Sequence, residues 1–455
     1  MMGRDPSFHR RLLASASFIA AIAAMNAPVR SQTLPAGGRV ASGSASISQS
    51  GSTLTINQTS ARTIINWNAY SLGAGGTVTY AQPGASSATL NRVTGSAPST
   101  IAGRINANGQ VYIVNPNGIA ITSSGAVNVG GGFVASTLGI ADSDFNDGHI
   151  RFQGAGASAP VSNAGTISVG AGGFAGLIGG AVSNSGTIDV PLGKIGLGSG
   201  EQATLDPSGD GFLQVAVPTS AKTADGKALV DVSGKVRAAG GTVTLTAATA
   251  ANAVRAAVNL SGYASASSVH TSGGAVILGG GPGGDVAVSG RASASGRSHG
   301  GSVAITGAHV ALTGARISAT GKTGAGGSVS ATASRAVTVA GTTVEASGAT
   351  KGGAVAIGGN ARGAGPLPNA GTVAIDPASA LHADATAAGD GGSVTVWSQG
   401  YTGFHGRITA LGGPQGGNGG AVEVSSHGVL DYRGRPRRSR PWARRGRCCS
   451  IPTKS

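Results

Sequence analysis

The segment QVYIVNPNGIAI, residues 110–121, reads as strand, corner, strand. Val111 and Ile113, then Ile119 and Ile121, stand two residues apart, the spacing that places side chains on one face of a strand. Between the runs Pro116 presets φ, Asn117 tolerates the left-handed region and Gly118 accepts positive φ without steric cost, so 115–118 is a tight turn. A chain that turns sharply and resumes a strand is either a hairpin or one corner of a wound β-helix. Outward from this segment, Val78, Tyr80, Ile101 and Ile105 continue the β-like pattern, and Gly, Asn and Pro punctuate it. No window holds apolar residues at i, i+3, i+4 and i+7 for long enough to specify a helix.

Repetition downstream favours the wound corner. SNAGTIS at Ser162 and SNSGTID at Ser183 are one unit offset by 21 residues. A glycine pair followed by strand alternation then recurs as GGTVTLT at Gly240, GGAVILG at Gly273, GGSVAIT at Gly300, GGSVSAT at Gly326, GGAVAIG at Gly352, GGSVTVW at Gly391 and GGAVEVS at Gly419. The period is about 26 residues with insertions, the mark of a solenoid whose coils stack their inward faces. At about 4.8 Å per coil, some fifteen coils make a rod of roughly 70 Å.

Composition agrees. With 81 Gly, 4% aromatic and 40% hydrophobic residues, the interior is built from small aliphatic side chains rather than aromatic ones. The net charge of +15 is concentrated at the ends. From Arg433 onward nine cations meet no acid, and the segment through Gln32 carries a net +3, so the body between keeps only +3. That balance lacks the broad footprint expected of a nucleic-acid binder. Residues 1–32 place Arg4, Arg10 and Arg11 before an apolar run, 12–25, that is too short to span a bilayer; they read as a removable secretory signal. Both cysteines, Cys448 and Cys449, lie in the basic tail 433–455, so an exported body would carry no disulfide.

Signals for catalysis or metal binding are weak. The acidic stretch beginning at Asp142 departs from the calcium-loop template, with Asp147 where Gly is required and Gln153 at the twelfth position, and reads as a solvated loop. Gly321-Lys322-Thr323 resembles the end of a phosphate-binding loop, yet the required first glycine is Arg316 and no helix pattern follows. Histidines never fall in a paired metal spacing, and no facing carboxylate pair is evident. No cofactor, no metal and no enzymatic activity are expected.

The features Asn57-Gln58, Ile65-Asn66-Trp67, the VTYAQP run, Asn91-Arg92-Val93, the block IAGRINANGQVYIVNPNGI and GGFVAST carry a resemblance. Together they are similar to the amino-terminal secretion domain of the filamentous haemagglutinin family, the exported partners of bacterial two-partner secretion. The resemblance implies an all-β fold, a right-handed parallel β-helix with a capped amino-terminal secretion domain, recognised by an outer-membrane transporter of the Omp85 type. It implies a division into signal 1–32, secretion domain 33–215, Gly-rich repeats 216–432 and basic tail 433–455. It further implies export through the periplasm to the surface or medium, and an adhesin-like role toward a host receptor, glycan or other cells. Haem acquisition, or the stub of a larger contact-dependent toxin or adhesin, are the alternatives. Recognition or structural roles fall on Asn57, Gln58, Asn66, Asn91, Arg92, Asn115, Pro116, Asn117 and Gly118. Among these, Asn115 and Asn117 are expected to be corner residues, and Arg92, Asn57 and Gln58 to make surface contacts. The family pattern continues a similar DYRG with GTLLLDP, and the codons for 446–454 read one base earlier can encode GTLLLDPYE; a frameshift is therefore expected to account for the tail, the alternative being a genuine Arg-rich tail that binds nucleic acid or anionic lipid.

Overall fold

The computed structural model describes residues 33–437, apart from 210, 224–226 and 253–254 and the side chains of 435–437. The expected signal segment 1–32, the tail beyond 437 and the cysteines lie outside the described residues.

The chain winds into a parallel β-helix with three strand ladders. One turn shows the plan. Gln110–Val114 lies on the first ladder, Ile119–Ile121 on the second and Ala126–Val129 on the third. Gly132–Ser136 then returns to the first, pairing in parallel so that Phe133 stacks on Val111 and Ala135 on Ile113. Residues 115–118 are thus a corner, not a hairpin. Gly118 alone takes positive φ there, at 118°, while Asn117 stays out of the left-handed region. The reason is local: the Asn115 side chain accepts the Asn117 amide at 3.0 Å and closes the turn itself.

Among the described residues the first ladder holds thirteen strands, from Arg62–Trp67 to Ala421–Ser426. Twelve steps of about 4.8 Å give roughly 58 Å. The shortfall from the fifteen expected coils has a simple origin, since excursions such as the outer strands Gln202–Leu205 and Leu213–Ala216 and the segment 358–371 leave the winding and consume chain. Inside, aliphatics stack in register from Ile195 through Val243, Val276 and Val303 to Val422, each at most 3% exposed. One coil could not bury such a face alone; each neighbour completes the next.

The glycine pairs have a steric cause. The second glycine of each pair packs its Cα against the carbonyl of the coil before it. A Cβ on Gly274 would sit 1.7 Å from the Gly241 oxygen, and one on Gly301 2.0 Å from that of Gly274. The following amide donates to the same carbonyl, Ala275 to Gly241 at 2.9 Å and Ser302 to Gly274 at 3.0 Å. Only glycine permits that approach.

Two additions modify the winding. At the start, Ala45–Ser50 pairs antiparallel with Thr53–Gln58, and Arg39–Ser42 with Arg62–Trp67, covering edges that would otherwise be open to pairing. Outside the first ladder a four-stranded antiparallel sheet forms from Gly139–Ile140, Ile150–Gln153, Gln202–Leu205 and Leu213–Ala216. The acidic stretch expected to be a loop is instead a helix, Asp142–Asp147, pinned by buried Phe145. Tyr112 packs edge-on against Phe145 at 5.4 Å, and Phe174 lies 6.3 Å from Tyr112 and 6.1 Å from Phe212. This second core explains why VYIV is apolar at every position: its strand is buried on both faces.

Candidate functional site

The motif residues gather in the first coils, where most of them face inward. Asn91 is fully buried and lies at the centre of a polar cluster. Its Oδ1 accepts from Trp67 Nε1 at 3.0 Å and from the Tyr80 hydroxyl at 2.9 Å, and its Nδ2 donates to the Tyr112 carbonyl at 3.1 Å. Tyr70 and Tyr80 share a hydroxyl contact of 2.6 Å. Burial pushes both phenols well above their usual range, so they remain neutral donors. Trp67, Tyr70 and Tyr80 were not expected as site residues. Their separation in sequence hides a cluster that coil stacking creates.

A second relay links three coils. Gln58 Oε1 accepts from Thr89 Oγ1 at 2.5 Å, and Gln82 Nε2 donates to that same hydroxyl at 3.0 Å. Gln82 also donates to the Gln110 carbonyl at 3.0 Å and accepts from the Gly109 amide at 2.9 Å. The expected surface contact therefore does not fit Gln58, which is 5% exposed and spends its amide on the interior. Arg92 is similarly committed, donating to the Ile140 carbonyl at 2.8 Å and pairing with Asp142 at 2.6 Å, which ties the outer sheet to the first ladder. Asn66 aligns with Arg92 on the first ladder, and its Oδ1 is buried without a partner.

At the corner, Asn115 Nδ2 donates to the Ala97 carbonyl and to Ser99 Oγ at 3.0 and 2.9 Å. Asn117 Nδ2 reaches the Gly95 carbonyl at 2.8 Å. The corner is thereby stitched to the preceding coil while Pro116 and Asn117 remain exposed. Of the expected site residues, Asn57, Pro116 and Asn117 are exposed, and Asn66 and Arg92 are half-buried.

The outer sheet has its own lock, which the sequence pattern did not reveal. Glu201 is 2% exposed and accepts from the Gly156 amide at 2.9 Å, the Ser158 amide at 3.0 Å and Ser158 Oγ at 2.7 Å. Burial raises its pKa, but hydrogen bonds from Thr219, Ser158 and Gly156 together outweigh burial and hold the carboxyl below the ordinary 4.5. A depressed folded-state pKa contributes stability that is complete above 4.5 and is lost as pH falls through the folded value. Glu201→Gln is expected to unfold earlier in urea than the parent at pH 7, with the gap shrinking below about pH 4.5. Denaturation midpoints across that range check this; a gap constant with pH would show that the carboxylate charge is irrelevant.

The His382, Thr409 and Asp384 side chains form a hydrogen-bonded chain. His382 Nδ1 contacts Thr409 Oγ1 at 2.7 Å, but that hydroxyl donates to Asp384 Oδ2 at 2.7 Å rather than to the imidazole. Among the described residues no group of three or more His, Cys, Asp or Glu could hold a metal ion.

Comparisons with known proteins agree with this geometry. Two Haemophilus influenzae proteins named Heme/hemopexin-binding protein are 42% identical over 103 residues and 40% identical over 78 residues. These matches cover 23% and 17% of this chain, and only 11% and 8% of the relatives' own lengths. The solved HMW1 secretion domain from Haemophilus influenzae superposes with a TM-score of 0.62 at 25% identity, covering 88% of this chain and 99% of that one. Residues 31–288 match the family described as TPS secretion domain, extending past the boundary at 215 that the sequence suggested. With more than half of its length matched and its coils wound as in the HMW1 domain, the chain belongs to the TPS secretion domain family, the exoproteins of two-partner secretion.

Proposed function

We propose that this protein is exported as an adhesin-like rod after an Omp85-type outer-membrane transporter captures its first coils in the periplasm. The observation that carries the reading is the family match over 31–288, which contains the whole motif cluster from Asn57 to Gly118. Capture involves the exposed corner residues and the surface that the buried asparagines and glutamines hold in shape. Passage requires an unfolded chain, and residues 33–437 contain no cysteine that could cross-link it. Outside the cell, each emerging coil buries its apolar face on the one before it, so folding proceeds stepwise and opposes return without nucleotide.

The test is export from cells carrying the chain and a two-partner secretion transporter. Deleting 57–138 is expected to leave the product in the periplasm, and efficient secretion of that deletion would refute the reading. Binding of the purified chain to the transporter's periplasmic region, lost on the same deletion, separates failed recognition from failed synthesis.

Haem acquisition is the second reading, favoured by the names of the two relatives. A hemin titration of the purified chain followed in the Soret region decides it: a saturable shift supports haem binding, and free-hemin spectra throughout exclude it.

A further inference from the structure

Between the third and first ladders, the loops of successive coils enclose a groove of ≈ 610 Å³ on the side of the rod. Arg297 and Lys322 occupy equivalent places on neighbouring coils, since Gly296 and Gly321 bridge in parallel and the Lys322 amide donates to the Gly296 carbonyl at 2.9 Å. Both side chains are exposed, and neither forms an ion pair among the described residues. Like charges stacked one coil apart repel, so the fold gains nothing from this placement. The third ladder has the same character just before these loops, where Arg291 and Arg316 stand in register.

The remaining lining specifies the chemistry. Ser268 and Thr320 bring hydroxyls, Glu345 a carboxylate acceptor and Val269, 74% exposed, an apolar lip. No aromatic side chain lines the groove, so stacked bases would find no platform. Two cations for an anionic substituent, hydroxyls and a carboxylate for ring hydroxyls, and an aliphatic contact for the C–H face of a ring match an acidic sugar. We propose that this groove binds an acidic oligosaccharide, its carboxylate or sulfate groups held by Arg297 and Lys322. The inference rests on the exoprotein reading only for where the ligand is met, and binding is measured apart from export.

The experiment is calorimetric titration of the purified full chain with hyaluronan and chondroitin sulfate hexasaccharides, which share the uronate carboxylate and differ in sulfate. Maltohexaose serves as the neutral control, with a twelve-residue oligothymidylate and phosphatidylglycerol vesicles as other anions. At least one acidic hexasaccharide is expected to bind, maltohexaose not to, and the Arg297→Ser/Lys322→Ser double variant to bind it at least tenfold more weakly. Arg407→Ser, which removes an exposed cation elsewhere on the rod, should leave affinity unchanged. Both substitutions lie in exposed side chains, and an unaltered thermal midpoint confirms the fold. Equal binding of maltohexaose, undiminished binding by the double variant, or binding of none of the sugars overturns the proposal. Tighter binding of the oligothymidylate or vesicles with the same dependence on Arg297 and Lys322 overturns the saccharide assignment in favour of that anion.

Discussion

Replacing Asn91 by Leu is expected to cost about 4 kcal/mol of stability, the largest single effect among the motif residues. Leu approximates the volume but takes a partner from three groups at once: Trp67 Nε1–H and the Tyr112 carbonyl lose the Asn91 bond, and the Tyr80 hydroxyl is left with Tyr70 alone. Each unsatisfied buried group costs about 1–3 kcal/mol, and Asn91 is fully enclosed between coils. Urea denaturation followed by tryptophan fluorescence measures the loss. Tyr80→Phe, which leaves Asn91 with Trp67 but takes from the buried Tyr70 hydroxyl its partner, should cost about 2 kcal/mol. A loss below about 1 kcal/mol for Asn91→Leu would mean that the cluster is not what fixes the first coils, and that these residues serve recognition directly.

Gly274→Ala comes second. The new methyl would overlap a backbone carbonyl of the preceding coil, at 1.7 Å from the Gly241 oxygen. Backbone in a continuous ladder cannot step aside without breaking the Ala275 to Gly241 hydrogen bond and its neighbours. The expected cost is about 3 kcal/mol, at the upper end for overpacking. Gly84→Ala provides the contrast: a Cβ there meets nothing within 4 Å and the backbone is not in the left-handed region. That variant should be neutral, or more stable by up to about 1 kcal/mol through the unfolded chain. Thermal midpoints of the two proteins side by side test the steric account, and equal midpoints would defeat it.

The glycine pairs show how a sequence can announce a feature without giving its cause. Their recurrence is visible in one dimension, and it sets the coil period. The cause, a carbonyl packed on a Cα one coil away, exists only after winding. The buried pattern of Val78, Tyr80, Val111, Ile113, Ile119 and Ile121 was legible because alternation is a local property of strands. The helix Asp142–Asp147 was not, since a single apolar residue, Phe145, fixes it and six residues carry no period. Gln58 and Arg92 looked like surface residues because polar side chains usually are. Their partners, Thr89 and Ile140, are supplied by other turns of the chain.

The sequence by itself determined the strand-and-corner pattern and the coil repeat, because both are written in short-range spacing and turn chemistry, and its motifs carried the resemblance to a secretion domain. Tertiary structure alone decided what the motif does physically. Stacking brings Trp67, Tyr80, Asn91 and Tyr112 into one buried cluster, and non-local antiparallel pairing of Ile150–Gln153 with Gln202–Leu205 lays a second core over the first ladder. Such contacts join residues tens of positions apart, and their energies depend on burial that no local pattern records.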